Sequence, residues 1–378
     1  MNYPCISLLN RQKYFTSSLV LVLGGLIFSA FLSGCGKSPT SDFSGTPAVE
    51  KSDSLVARDT TKPVDTLRVA TFNMSIGFPV SQLLFTDMDD TAIAYRALDT
   101  LYVRFKHGNP SARIKIMATT IKDLDLDVIG LQEVMTLGKN GVQDNDFLAE
   151  LIADITAAGG PAYQSYRNIL NDTLLSGKLG DQKISIAFRE GNALLIKPGF
   201  HILDTAKLDY YSLLQIPIKN ARKSERCVNY LRMQSPKGII WHVYNTHIEV
   251  FADIGNSQAS ELKKIVLEKG QGRDAQLVIG DFNSDPGKDA HQVMVEGGFL
   301  DTFIGVGIEP GATCCVAASA LWDPHAGFSN RRIDYIFSRR IEKVLESHTA
   351  LENAVAINAT DTLFASDHRL VWARVVGQ

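Results

Sequence analysis

Short apolar runs that end abruptly in polar residues alternate, from Thr66 onward, with longer stretches whose apolar residues recur at helical spacing. The clearest run is Leu277–Val278–Ile279, which stops in Gly280, Asp281, Asn283, Ser284, Asp285, Pro286 and Gly287. It predicts a buried strand that ends in a turn. Side chains two apart on a strand point the same way, so Asp281 and Asn283 reach one spot; an Asx-rich turn with no further role fits the same residues. Further strands are expected at Leu67–Phe72 before Asn73, at Asp127–Leu131 before Gln132–Glu133, and at Ile239–Tyr244 before Asn245–Thr246–His247. Ile333–Phe337 and Leu370–Ala373 complete them, while Ile184–Phe188 and Ala193–Ile196 read as a hairpin around Gly191–Asn192. Helices are predicted over Asp89–Lys106, from a Ser111 cap through Leu124, from Asp146 to Gly159, from a Ser257 cap to Gly270, and over Lys288–Glu296. Thr205–Gly238 carries no readable pattern. Strand–helix–strand order giving way to neighbouring strands predicts an α/β fold, with two packed sheets and helices outside.

The first 65 residues read differently. Arg11 and Lys13 precede an apolar run, Leu19–Leu32, too short for an ordinary membrane span. The run ends in Leu32–Ser33–Gly34–Cys35, which resembles a bacterial lipobox, where the signal is cut before a cysteine that is then lipidated. An ordinary signal peptide or an uncleaved anchor fits the same run. Residues 36–65 are rich in Ser, Thr, Pro, Lys and Asp and bury too little surface to order themselves. The expected organisation is a lipoprotein signal peptide at 1–34, a lipidated Cys35 with a tether through 65, and one folded domain at 66–378. The expected location is the bacterial cell envelope, lipid-anchored and facing the periplasm or exterior.

Hydrophobic content of 45% and charged content of 21% are those of a globular chain. Removing residues 1–34 takes away two basic residues, Arg11 and Lys13, and no acid, so the net charge moves from −3 to −5. Lys263–Lys264, Arg331–Arg332 and Arg339–Arg340 are only short basic pairs, so there is no strong electrostatic case for duplex nucleic acid. Outside the first 35 residues the cysteines are Cys227, Cys314 and Cys315. A bridge from Cys227 to one of the pair is compatible with export, and the odd count leaves one thiol over. With no His at ligand spacing the three do not make a zinc site.

Polar residues recur at the ends of the apolar strands: Asn73, Glu133, Asn192, Asn245 with His247, Asp281 with Asn283, Asp334, and Asp367 with His368. Each alone reads as a turn residue, a solvated acid or a satisfied core histidine. Strand ends of a sandwich cluster at one rim, however, and hard oxygen donors with two imidazoles and several carboxamides suit magnesium-assisted attack on a phosphate ester.

In this order Thr71–Phe72–Asn73, Gln132–Glu133, Gly191–Asn192–Ala193, Asn245–Thr246–His247, Gly280–Asp281–Phe282–Asn283, Arg332–Ile333–Asp334–Tyr335 and Ser366–Asp367–His368 resemble the motifs of the endonuclease/exonuclease/phosphatase superfamily. The resemblance spans residues 66–376 and implies the deoxyribonuclease-like four-layer α/β sandwich. It implies Glu133 as main Mg2+ ligand, with Asn73 and Asp367 at the same metal and Mn2+ able to substitute. It implies Asp281 orienting or deprotonating water, Asn283 donating to phosphoryl oxygens, and His368 acting on the phosphate or as base with Asp334 fixing its tautomer. His247 would bind phosphate or assist the leaving group, and Asn192 and Asn245 would support the phosphate site. The base, Asp281 or His368, stays open.

The expected activity is that of an exported, membrane-tethered phosphoesterase, a phosphodiesterase acting on a phospholipid-type or nucleic-acid ester. The alternative is an inactive binding module on the same fold. The insertion Ile76–Pro110 follows Asn73, and its Phe78, Leu83, Leu84 and Phe85 form either a lipid- or substrate-facing patch or part of the core. Gly311–Ala312–Thr313–Cys314–Cys315 resembles a Thr–Cys–Cys element of some exported bacterial members and does not fix the substrate.

Overall fold

A computed structural model describes residues 65–78, 86–216, 222–270, 272–307, 311–317, 321–323 and 325–377. The signal, lipobox and tether readings, with Leu83, Leu84 and Phe85, lie outside these residues. The chain begins with β1 (Asp65–Asn73), α1 (Thr91–His107), α2 (Pro110–Leu124), β2 (Val128–Lys139), β3 (Val142–Asp146) and α3 (Phe147–Ala157). It continues through β4 (Gln164–Leu179), β5 (Gln182–Ile196), β6 (His201–Asp209), β7 (Leu214–Ile216), β8 (Arg222–Ser224), β9 (Cys227–Gln234) and β10 (Ile240–His247). Then come α4 (Ala252–Lys269), β11 (Ala275–Asp281), α5 (Asp289–Glu296), β12 (Leu300–Asp301), β13 (Asp334–Arg339) and β14 (Lys343–Ala350). It closes with β15 (Val355–Ala356), β16 (Thr362–Leu363) and β17 (Leu370–Gly377).

Among the described residues, seven strands form one sheet in the order β14-β17-β1-β2-β5-β4, with β3 paired to β2. Six form a second sheet, β12-β13-β11-β10-β9-β6. The two are packed face to face through Leu67, Val69, Val128 and Leu194 of the first and Trp241, Val243, Leu277 and Ile279 of the second. Helices α1–α3 cover the outer face of the first sheet, where Leu98, Ile114, Met117 and Phe147 meet Phe72 and Leu131. Helices α4 and α5 cover the second, through Leu262, Val266 and Met294 against Tyr244 and Val278. This is the four-layer α/β sandwich that the sequence predicts.

Several local expectations are corrected. There is no hairpin at Gly191–Asn192: β5 runs through both, and the turn lies at Gly180–Asp181. Gly191 is needed because a Cβ there would lie 1.9 Å from the Asn168 carbonyl oxygen on β4. Asn109, not Ser111, caps α2, and Ser111 turns its hydroxyl to Glu150 instead. Ser257 lies inside α4 and bonds back to the Asp253 carbonyl. Of the two alternatives for Phe78, the core one holds: it packs edge-on to Phe105 and Phe188. Cys314 and Cys315 are bonded to one another, and Cys227 is a buried free thiol. Among the described residues no helix is long and apolar enough to cross a membrane.

Candidate active site

The strand directions gather the expected residues. β1 and β2 are parallel, with Asn73 opposite Gln132, so Asn73 and Glu133 leave the first sheet at the same end. β17 is antiparallel to β1, with Val371 opposite Thr71, so Ser366–Asp367–His368 enter at that end too. In the second sheet β10 and β11 are parallel, with His247 opposite Asp281, and antiparallel β13 puts Asp334 opposite Asp281. Most of these side chains are buried, while Glu133, Asn283 and Asp367 are half-buried and open to solvent.

Glu133 owes its direction to a bulge. The pairing of β2 with β5 slips between Leu131 and Val134, and Glu133 takes a left-handed φ of 54°. A bulge re-aims a side chain that a regular strand would turn into the sheet, and a non-glycine residue holds that conformation only where its surroundings impose it. Glu133 Oε2 accepts the Ile76 N–H at 2.8 Å and Oε1 accepts from Asn73 Nδ2 at 3.1 Å. The same Asn73 nitrogen donates to Asp281 Oδ2 at 3.1 Å. The Asn73 oxygen, expected at a metal, instead accepts the Ser75 N–H at 2.9 Å. That bond orients the amide so that nitrogen faces the two carboxylates, and Asn73 bridges them in this structure.

Asp281 is the hub. Its Oδ1 accepts the Asn283 N–H at 2.9 Å, while Oδ2 lies 3.5 Å from His247 Nε2 and 3.8 Å from His368 Nε2. Asn283, at a left-handed φ of 49°, turns its amide back. Its Nδ2 donates to the Ile248 carbonyl at 2.9 Å and lies 3.3 Å from His247 Nε2, so here it steadies His247 rather than presenting free donors to a phosphate. The turn is braced from behind: Gly287 N–H donates to His291 Nδ1 at 3.0 Å, and His291 Nε2 and Arg332 both reach Asp301. His368 Nδ1 lies 2.9 Å from Asp334 Oδ2, and Thr313 Oγ1 accepts the Ile333 and Asp334 N–H groups.

Charge sorts the titratable groups. Burial works against a charged His368, but Asp334 and then Asp281 outweigh it and hold the ring protonated well above its ordinary range. Burial, helped by the positive charges of Arg226 and His368, keeps His247 neutral, well below that range. Burial and the neighbouring Asp334 push Asp281 up to about 6. Burial and the charge of Asp367 push Glu133 up to about 7.

Two further residues take part that the sequence reading did not single out. Arg113 on α2 is fully buried beneath the rim; Nε donates to the Ala365 carbonyl at 2.7 Å, and Nη2 donates to the carbonyls of Ser75, at 2.8 Å, and Met74. It thereby ties the loop after Asn73 to the loop before Asp367. Its i+4 relation to Met117 put it on the apolar face of α2, and that was a legible signal. Arg226, at the entry to β9, lies 3.6 Å from Glu249 and within electrostatic reach of Glu190, Glu133 and Asp281. It falls in the stretch without pattern. Asn245, expected near the phosphate, is consumed between the sheets. Its Nδ2 donates to the Leu131 and Ala193 carbonyls and its Oδ1 accepts from Gln132, in space left by Gly130. Asn192 is the opposite case, fully buried with neither side-chain polar atom bonded.

The residues suit a hard divalent cation at Glu133 and Asp367. These are two half-buried carboxylates; burial and then the charge of Asp367 raise Glu133, and the nearby Arg113 spends Nε and Nη2 on carbonyls. Asp281, Asp334 and His368 also place one ligand atom each within 4.8 Å of one another. In that cluster Asp334 Oδ2 already engages His368 Nδ1 at 2.9 Å. Cys314 and Cys315 come equally close to His368, but their sulfurs are paired.

Solved structures share the fold. An endonuclease/exonuclease/phosphatase family protein from Bacteroides thetaiotaomicron superposes with a TM-score of 0.55 at 17% identity, covering 83% of this chain and 96% of that chain. A mannosyl-6-phosphatase of Bacteroides thetaiotaomicron VPI-5482 gives 0.54 at 18%, covering 82% and 99%. A family protein from Leptotrichia buccalis gives 0.52 at 19%, covering 82% and 99%. At these identities the likeness is one of fold. No curated protein matches the sequence. The sequence matches the Endonuclease/Exonuclease/phosphatase family over residues 71–368, and the chain belongs to that family, whose members are metal-dependent phosphoric ester hydrolases.

Proposed function

We propose that the protein is a Mg2+-dependent phosphodiesterase, exported and tethered to the cell envelope through Cys35, that hydrolyses a phospholipid-type or nucleic-acid ester. The observation that carries this reading is the setting of Asp281, buried between His247, His368 and Asn73 with its carboxyl raised to about 6. A carboxylate poised near neutrality suits a general base.

Glu133 and Asp367 would hold the metal, which would neutralise charge on the phosphate ester and lower the energy of its transition state. Asp281 accepts the proton of the attacking water as the water oxygen bonds to phosphorus and the bond from phosphorus to the leaving oxygen breaks. His368, whose proton is favoured by Asp334 and Asp281, donates to a non-bridging oxygen as negative charge grows there. Asp334 fixes its Nδ1–H. His247, steadied by Asn283, faces the same carboxylate from the other sheet and stands on the leaving-group side. Asn192, with unpaired donor and acceptor atoms, remains a phosphate-site residue, whereas Asn245 is a structural clamp.

The tether reading rests on Leu32–Ser33–Gly34–Cys35 and on the polar composition of residues 36–65. Globomycin should block processing, and unchanged processing would refute the lipid anchor. A panel of plasmid DNA, sphingomyelin, lysophospholipid and inositol phosphates, run beside the Glu133→Ala variant, tests the activity. Metal-dependent turnover of one diester that Glu133→Ala abolishes supports the reading. No turnover of any of them favours the inactive module.

A further inference from the structure

The segment that carries Cys314 and Cys315 is stitched to both sides of the Asp334–His368 pair. The Thr313 N–H donates to the Arg331 carbonyl at 2.8 Å, and the Arg369 N–H donates to the Thr313 carbonyl at 2.7 Å. The Val316 N–H reaches the Asp367 carbonyl at 3.1 Å. Cys314 lies between these anchors, in bridge pairing with Arg331 on one side and His368 on the other. Ser329 holds the cysteines from the loop that follows: its Oγ donates to the Cys314 carbonyl at 2.6 Å and accepts the Cys315 N–H at 3.0 Å. None of these bonds uses a sulfur, so the main chain of the pair is positioned independently of the S–S bond.

The sulfurs have a third donor beside them. Cys314, Cys315 and His368 each place one ligand atom within 4.8 Å of the others. Cys314 and His368 are buried and Cys315 is half-buried, so the group opens to solvent on the Cys315 side. Asp334 engages only Nδ1 of the imidazole, which leaves a ring nitrogen without that partner. In the sequence the cysteines have no histidine at ligand spacing; the fold supplies one. Paired, the sulfurs are not metal ligands, because the thiolate is the ligand form. Unpaired, they are two thiolates beside an imidazole, a donor set that suits Zn2+ and leaves a fourth position for water. Glu133 and Asp367 offer hard oxygens instead, so the two places select different ions.

We propose that Cys314, Cys315 and the imidazole of His368 form a latent site for a thiolate-binding metal ion of the Zn2+ class, opened when a dithiol reduces the Cys314–Cys315 bond. In that step the S–S bond breaks and each cysteine gains an electron and a proton. The dithiol gives up two electrons and two protons and closes to its own disulfide. The incoming ion then displaces the two thiol protons. An ion held there occupies the imidazole that the reaction uses as a donor, so it switches hydrolysis off. That consequence, unlike the site itself, rests on the phosphoesterase reading above.

Cd2+ is a suitable probe, because thiolate ligands give it an ultraviolet charge-transfer absorption. The full chain, reduced with dithiothreitol and freed of it without air, is expected to gain two thiols and to bind one further Cd2+ in the presence of excess Mg2+, with that absorption. The oxidised protein is expected to lack this binding, which gives a control free of any effect of mutation on folding. Cys315→Ser and His368→Gln are each expected to weaken the binding by at least about 10- to 100-fold, the loss that even the outer partners of a metal site produce. For any diester turned over, Cd2+ should inhibit the reduced protein and not the oxidised one, and Cys315→Ser should keep hydrolysis and lose the sensitivity. Failure to gain two thiols, equal Cd2+ binding before and after reduction, or binding unchanged in His368→Gln overturns the three-ligand site. Binding that leaves hydrolysis untouched overturns the inhibition. Because the absorption reads binding directly, it decides the site even if no tested ester is hydrolysed.

Discussion

Asp334 Oδ2 lies 2.9 Å from His368 Nδ1, and this contact decides what the ring can do. Both residues are buried, and the carboxylate fixes the proton on Nδ1 while Nε2 is left facing Asp281. The imidazolium therefore serves the site as a donor and a positive charge.

Replacing the carboxylate should remove that service. Asp334→Asn is expected to lower kcat by about 10²- to 10⁴-fold with a much smaller change in KM, the range seen when acid–base machinery is disabled. Steady-state kinetics on any diester turned over would check it, and a KM effect alone would contradict it.

Asp281 should show a trade between activity and stability. Its folded-state carboxyl is raised from 3.8 to about 6 by burial and Asp334. A group raised on folding opposes folding once it must ionise: the penalty is absent below the ordinary value, grows between 3.8 and about 6, and stays constant above. Asp281→Asn removes the ionisation while keeping an acceptor for the Asn283 N–H. At pH 7 the variant is expected to be inactive and to melt a few degrees higher than the metal-free parent. A lower Tm would contradict the sign.

Arg113 should behave as a brace. Its removal leaves the carbonyls of Met74, Ser75 and Ala365 without their partner, at about 1–3 kcal/mol each. Arg113→Met is therefore expected to lower Tm steeply. Arg113→Lys, which restores the charge but only part of the bonding, should recover part of the loss. Thermal denaturation of both variants would decide, and a neutral Arg113→Met would show that the two loops stand without it.

The sequence showed most of the frame because the frame is written in burial. Apolar runs such as Leu277–Ile279 can only be hidden strands, and their polar ends, Asn73, Glu133, His247 and Asp281, fall at one rim once the strand directions are set. What it did not show depends on contacts distant in the chain. Gly191–Asn192 has the composition of a turn, yet the glycine is there to clear the Asn168 carbonyl in mid-sheet. Ser111 and Ser257 look like caps, but a serine just inside a helix, or further along it, looks the same in sequence. Asn245 ends a strand as Asn73 does, and only packing of the second sheet over Gly130 makes it a clamp. Arg226 lies in a stretch without periodicity, and its position among Glu133, Glu190, Glu249 and Asp281 is a property of the assembled rim.

The most direct test of the account is hydrolysis of a bis-aryl phosphodiester by the purified protein, followed with Mg2+, after chelation and after Mg2+ is restored. The account expects aryl alcohol release with Mg2+, its loss on chelation, its return on repletion, and none from Glu133→Gln at any stage. Release that survives chelation, or that persists in Glu133→Gln, would contradict it.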